Sequence, residues 1–86
     1  MKLKKEFIVH ESGGSYMLVP TGQGTFSGMV RGNKTFGAIL SLLNDETDEE
    51  TIVAEMSRMF DAPVDVIAQD VAKALDTLRE IGAIDG

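Results

Sequence analysis

The chain contains no cysteine and no tryptophan, and has one histidine and two prolines among its 86 residues. Without cysteine there can be no disulfide framework and no thiolate metal site, and a reducing cytoplasm is the expected setting. Hydrolytic triads and most metal centres use histidine or cysteine to move protons or bind the ion near neutral pH. Here His10 stands alone at the end of a short apolar run, where an ordinary strand-edge role is expected. No segment approaches the roughly 18 consecutive apolar residues of a membrane span, and Met1 to Lys5 is not followed by the apolar core of a signal peptide. The expectation is a soluble protein that stays inside the cell, with no membrane partner.

Glycine-rich and acidic stretches are present but lack the spacing that chemistry requires. Gly22-Gln23-Gly24 followed by Gly28 is one residue too long for a dinucleotide-binding fingerprint, and no strand-turn-helix context surrounds it. Asp45, Glu46, Asp48, Glu49 and Glu50 form a dense acidic patch without the alternating ligands and bidentate glutamate of a calcium loop. They suit the first turn of a helix, where negative charge complements the dipole. The formal charge of −6 is uneven: residues 1–44 carry a net +3 and residues 45–86 a net −9. Such an acidic field repels phosphate backbones.

The best-written element runs from Pro63 to Gly82. Apolar residues at Val64, Ile67, Ala68, Val71, Ala74, Leu75, Leu78 and Ile81 recur at the three- and four-residue steps of one helix face. Pro63 suits the helix start and Gly82 the left-handed stop. The stripe is wider than one core seam needs. Either a small domain wraps around its longest helix, or a flank of the stripe lines a groove for a partner.

Earlier in the chain, Phe7-Ile8-Val9 and Tyr16-Met17-Leu18-Val19 are β-rich runs joined by Glu11-Ser12-Gly13-Gly14-Ser15, which predicts a hairpin closed by Pro20. Phe26, Gly28 and Val30 alternate with Ser27, Met29 and Arg31 as a third strand, broken by Gly32-Asn33. A helix from Thr35 to Leu43 follows, capped by Asn33 or Thr35 and facing the core with Phe36, Ile39, Leu40 and Leu43. Thr47-Asp48-Glu49-Glu50 has the form of a capping box, and the next helix carries Ile52, Val53, Met56, Met59 and Phe60 inward until Pro63 forbids it to continue. Met17, Met29, Met56 and Met59 fall in core periodicity. Three strands and three helices, the latter of about 10, 13 and 19 residues, make one α+β domain over residues 1–86. It is winged helix-turn-helix-like, with its strands at the front of the chain.

Taken together, Gly13-Gly14-Ser15-Tyr16, Gly28-Met29-Val30-Arg31-Gly32-Asn33-Lys34-Thr35, Ile39 to Leu43, Thr47 to Glu50, Phe60-Asp61 and Asp70-Val71 through Leu75 and Leu78 to Gly82-Ala83-Ile84 give a pattern over nearly the full length. In order and spacing it resembles the PqqD family, small proteins of pyrroloquinoline quinone biosynthesis whose fold is reused as a RiPP recognition element. The family usually has leucine where Gly32 stands, so local packing there is expected to differ. The resemblance implies a non-catalytic protein without a cofactor. Such a protein captures the leader of a ribosomally made precursor peptide as an extra strand, between the third strand and the last helix. It then presents the leader to a modifying enzyme, commonly a radical SAM protein.

That implication selects candidate peptide-binding residues. Thr25, Ser27, Gly28, Met29, Val30 and Arg31 would offer the strand edge, and Val66, Asp70, Lys73, Ala74, Thr77 and Ile81 the helix flank. This flank is chosen because the apolar stripe overhangs there and the family pattern passes through Asp70 and Ala74. Asp70 could pair with a leader lysine or arginine, and Lys73 and Arg79 could meet acidic leader residues. A winged-helix nucleic-acid-binding or transcription regulator is the fold-level alternative, but it needs a basic recognition helix. The last helix sets Asp65, Asp70, Asp76 and Glu80 against Lys73 and Arg79. An acyl carrier protein is similarly small and acidic, but the chain has no Asp-Ser pair to carry a prosthetic arm, and its first third is rich in strands.

Overall fold

The computed structural model describes residues 1–21 and 30–84. Strands β1 (Phe7–Ser12), β2 (Ser15–Pro20) and β3 (Val30–Gly32) precede helices α1 (Lys34–Leu42), α2 (Glu49–Met59) and α3 (Val64–Glu80). The sheet is antiparallel in the order β1-β2-β3, giving the expected α+β architecture of three strands followed by three helices.

Two glycines alone make the hairpin turn. Gly13 and Gly14 have φ of 57° and 85°, the positive pair that a two-residue turn matched to strand twist requires. Both strands therefore extend further than the apolar runs suggested, with Ser12 opposite Ser15 and Phe7 opposite Pro20. β3 pairs with β2 through Tyr16 with Gly32, Met17 with Arg31 and Leu18 with Val30. Gly32 thus belongs to the strand and does not break it. The expected strand residues Phe26, Ser27, Gly28 and Met29 lie outside the described residues.

The first two helices start on a side-chain cap, and the third does not. The Asn33 side chain accepts a hydrogen bond from the Phe36 amide at 3.1 Å and caps α1, so of the two expected candidates it is Asn33. For α2 the expected Thr47 capping box is not formed. Asp48 is the cap, its Oδ1 accepting from the Thr51 amide at 2.8 Å, because the Thr47 amide is already committed to the Met1 carbonyl at 2.9 Å. Pro63 stands immediately before α3 and contributes no side-chain cap. Gly82, at φ 77°, ends α3 as expected.

The core is one cluster. Leu18 from β2, Ile39, Leu40 and Leu43 around α1, Ile52 and Met56 from α2, Ile67, Val71, Leu75 and Leu78 from α3, and Ala83 with Ile84 are all buried. Of the other expected core residues, Met17, Phe36, Val53 and Phe60 are half-buried and two are exposed. Met59 is 53% exposed at the end of α2, and Val64 is 61% exposed in the first turn of α3, one turn before Ile67. α1 is the central element, packing on β2 and β3 as well as on α2 and α3. The amino-terminal segment adds a contact that the sequence did not announce. The Leu3 amide donates to the Leu43 carbonyl at 2.9 Å, and the Lys4 amide to the Ala83 carbonyl at 2.8 Å. Among the described residues, no helix is long and apolar enough to cross a membrane.

Candidate functional site

Among the described residues, β3 ends the sheet and pairs only with β2. Its side chains alternate as the pleat demands: Val30 packs against the core while Arg31 is exposed. Directly after the strand, the chain turns through Asn33 into α1, and α3 lies on the far side of that junction. Between them is a cavity of about 180 Å³ lined by Asn33, Thr35, Phe36, Ile39, Asp70, Lys73 and Ala74. Phe36, Ile39 and Ala74 give it apolar lining, while the exposed residues Asp70 and Lys73 line its α3 side. Both lie on one face of α3 because a spacing of three residues returns nearly one full turn.

Asp70, Lys73 and Ala74 are the three sequence-selected residues that the cavity brings together. The others are placed differently. Val66 is exposed one turn earlier on α3, and Ile81 is half-buried at the helix end, packed against the core. Thr77 is exposed, but its hydroxyl donates to the Lys73 carbonyl at 3.1 Å. Thr25, Ser27, Gly28 and Met29 lie outside the described residues. Arg79, on the same helix, is held by Asp76 at 3.2 Å. Sequence reasoning missed the α1 wall. Phe36 and Ile39 share a helix face with the Asn33 cap, and their three-residue spacing was the available signal; it was assigned wholly to the core.

Gly32 is explained by what lies on it. A Cβ at residue 32 would sit 2.5 Å from the Cβ and Cγ atoms of Phe36, so the Phe36 side chain occupies the space that a larger residue would need. A similar relation holds one turn into α1, where a Cβ on the buried Gly37 would sit 2.5 Å from Cγ and Cδ1 of Tyr16. A larger hollow of about 510 Å³ lies on that side of α1, lined by Tyr16, Ala38, Leu42, Met59 and Phe60 among others. Among the described residues, none of the sequence-selected ones borders it. Size alone would favour this hollow, but the smaller cavity has the last strand of the described sheet and the opposed charges of Asp70 and Lys73 beside it.

Among the described residues the electrostatics have one clear perturbation, and it lies away from the cavity. Asp48 is held below the usual carboxylate range, chiefly by the Thr51 backbone amide and then by the Thr51 hydroxyl.

Comparison with known proteins agrees with this architecture. No curated protein sequence matches the chain. A solved structure described as TbiB1 in complex with the TbiA(beta) leader peptide matches in fold with a TM-score of 0.79 and 19% sequence identity, over 100% of this chain and 96% of that one. The family model described as coenzyme PQQ synthesis protein D matches residues 7–84. The chain therefore belongs to the PqqD family.

Proposed function

We propose that the chain is a peptide chaperone without catalytic activity of its own. It binds the leader segment of a ribosomally made precursor peptide and presents it to a modifying enzyme of the radical SAM class. The leader adds as a strand beside β3, its backbone satisfying the N–H and C=O groups of that edge, and alternate side chains turn towards α3. Thr25 to Arg31 supply the edge in this reading, and Val66, Asp70, Lys73, Ala74, Thr77 and Ile81 the facing helix. Asp70 meets a leader cation and Lys73 a leader acid.

The observation that carries the reading is the cavity at the exit of β3, where Asp70, Lys73 and Ala74 meet Asn33 and Phe36 beside the end of the sheet. Family membership supports it, as does the fold shared with a protein solved with a leader peptide. Ordering a disordered leader costs about 2–5 kcal/mol of the gross interaction. A groove this small therefore gives moderate affinity, which suits a protein that hands its peptide on. Association with the enzyme would supply the remainder by raising the local concentration.

The test is titration of the chain with the leader of a precursor peptide encoded in its own gene neighbourhood, followed by amide NMR. Shifts should concentrate at Val30 to Asn33, Phe36 and the Asp70 to Ala74 face of α3. Perturbation confined to β1 or to the Met59 and Phe60 side would refute this mode.

A further inference from the structure

The sheet has a second margin, at β1, and one proline fixes which of its backbone groups point outwards. Residues facing each other across an antiparallel pair alternate between those that exchange N–H and C=O bonds and those that do not. Phe7 stands opposite Pro20, which has no N–H, whereas the next pair out is bonded, the Thr21 amide donating to the Glu6 carbonyl at 2.6 Å. Ile8, His10 and Ser12 therefore turn their backbone groups towards β2, and Phe7, Val9 and Glu11 turn theirs away from it. The Phe7 amide is taken by the Lys4 carbonyl at 3.1 Å, and among the described residues β1 pairs only with β2. Val9 and Glu11 thus present N–H and C=O groups outwards, from a strand on which Ile8 is 54% and Val9 37% exposed. Val9 stands opposite the buried Leu18, so its side chain is on the helix side of the sheet. There it borders a hollow of about 270 Å³ with apolar lining from Leu3, Phe7 and Leu40.

We propose that β1 pairs with β1 of a second copy of this chain, antiparallel and about a two-fold axis through Ile8, so that two sheets become one. A bare strand margin is a template for a further strand, and charges usually guard it against the wrong one. Here the charges fit a copy of themselves. Outward backbone groups must meet outward groups, so the registers with useful overlap put Ile8, Val9 or His10 on the axis. With Val9 there, Phe7 faces the partner's Glu11. With His10 there, the imidazole faces the partner's His10 and Val9 faces the partner's Glu11. With Ile8 there, every pair is complementary: Ile8 faces the partner's Ile8, Phe7 the partner's Val9, Glu6 the partner's His10 and Lys5 the partner's Glu11. Lys5, Glu6, His10 and Glu11 are all exposed. Apolar and opposite-charge cross-strand pairs stabilise a sheet, and like charges placed opposite each other destabilise it. In this register the Val9 amide donates to the partner's Phe7 carbonyl, and the axis repeats the bond. The partner's Val9 brings apolar surface to Phe7 beside the hollow. The β3 margins lie at the far ends of the joined sheet, so self-pairing leaves the proposed leader site open in both copies. A single strand margin buries less than the roughly 1,200 Å² of a standard interface, and the dimer is accordingly weak and reversible.

The experiment is sedimentation equilibrium of the chain without leader peptide, from about 10 μM to about 1 mM, a range that spans weak association. Amide hydrogen exchange is followed at both ends of the range. The wild type should pass from monomer to dimer, and the Val9 amide should become protected as it does so, while the Ile8 amide, already bonded to β2, should not change. V9P removes an N–H that the single chain does not use, at a margin where proline is tolerated. It should melt as a folded protein and stay monomeric throughout. K5E and E11K should each weaken the dimer by roughly two- to thirtyfold, because the axis counts each exposed pair twice. The K5E/E11K double variant, which restores opposite charges across the axis, should recover it. If V9P does not fold, the charge variants decide alone. A wild type that is monomeric at every concentration, or a dimer that survives V9P, would overturn the self-pairing. A double variant no better than its parents would overturn the Ile8 register. Leader binding rests on β3 and should be the same in folded V9P as in the wild type, so its failure would leave this result untouched.

Discussion

Replacing Gly37 with alanine should destabilise the protein, against the usual sign of a glycine-to-alanine change inside a helix. In an unobstructed helix interior the substitution gains about 1 kcal/mol, because alanine restricts the unfolded backbone and favours helix. Gly37 is buried in the first half of α1, and its added methyl would lie 2.5 Å from Cγ and Cδ1 of the Tyr16 ring. Carbon contacts of about 3.5 Å or more are needed, so the ring must retreat by roughly 1 Å or the helix must lift from the sheet. Overpacking of this kind costs about 1–3 kcal/mol, which leaves a net loss centred on about 1 kcal/mol. In a domain of this size that corresponds to a fall in Tm of about 4–8 °C. Thermal unfolding by circular dichroism of the wild type, G37A, Y16A and the double variant isolates the cause. With the ring removed, G37A should regain its intrinsic sign and stabilise by about 1 kcal/mol, a coupling of about 2 kcal/mol between the two positions. A G37A variant that melts above the wild type, or that changes Tm equally in both backgrounds, would refute the reasoning.

Loss of the α1 cap in N33A should cost about 1 kcal/mol, and N33D should restore most of it, both measurable by urea unfolding. At Asp48 the carboxyl is held below its unfolded value of about 3.9 by the Thr51 amide. Its contribution to stability is therefore fully present above that value and is lost as pH falls through the lower folded value; D48N, which still caps, should flatten this acid limb in unfolding curves taken from pH 5 downwards. In the proposed groove, A74D should weaken leader binding in a titration while the melting curve stays cooperative, and a variant that simply unfolds would return Ala74 to the core. D70K should shift the preferred leader towards acidic residues at positions facing α3, by roughly two- to fivefold for an exposed pair, and unchanged preference would remove Asp70 from the recognition set.

Most of the fold was legible because two periodicities carry it. The period-two runs around Gly13-Gly14 and the three-four spacing from Val64 to Ile81 need only local backbone geometry to be recognised. What escaped was set by contacts between distant residues. Thr47 and Asp48 are adjacent, and both precede plausible cap partners. The choice between them is made by the Met1 carbonyl, 46 residues away, which takes the Thr47 amide. Met59 continues the apolar stripe of α2, yet it lies at the last position of that helix and remains 53% exposed. Val64 has the right helical phase for the core but comes one turn too early. Phase indicates the face of a helix, not how far along it the neighbouring element reaches. On the candidate site, the helix flank through Asp70 and Ala74 was readable from the over-wide stripe. The facing wall of Phe36 and Ile39 was not, because a residue can touch the core and line a cavity with the same side chain.

The two glycines on either side of the β3 to α1 junction show how the site depends on the fold. Gly32 at the end of β3 and Gly37 in α1 each leave room for one aromatic ring, Phe36 and Tyr16. The two rings border different hollows, Phe36 the one towards α3 and Tyr16 the one towards α2. Close-packed interiors transmit changes as small as a methyl group, so an added Cβ at either glycine moves a ring. The consequences should nevertheless differ. At Gly37 the three nearest atoms all belong to the Tyr16 ring, which borders a hollow and can swing towards it, so part of the strain is relieved. At Gly32 the atoms in the way include the Cβ of Phe36, which no rotation of the side chain moves, so the β3 to α1 backbone itself must shift. G32A should therefore lose more stability than G37A in thermal unfolding, and a G32A variant that melts above G37A would refute this account.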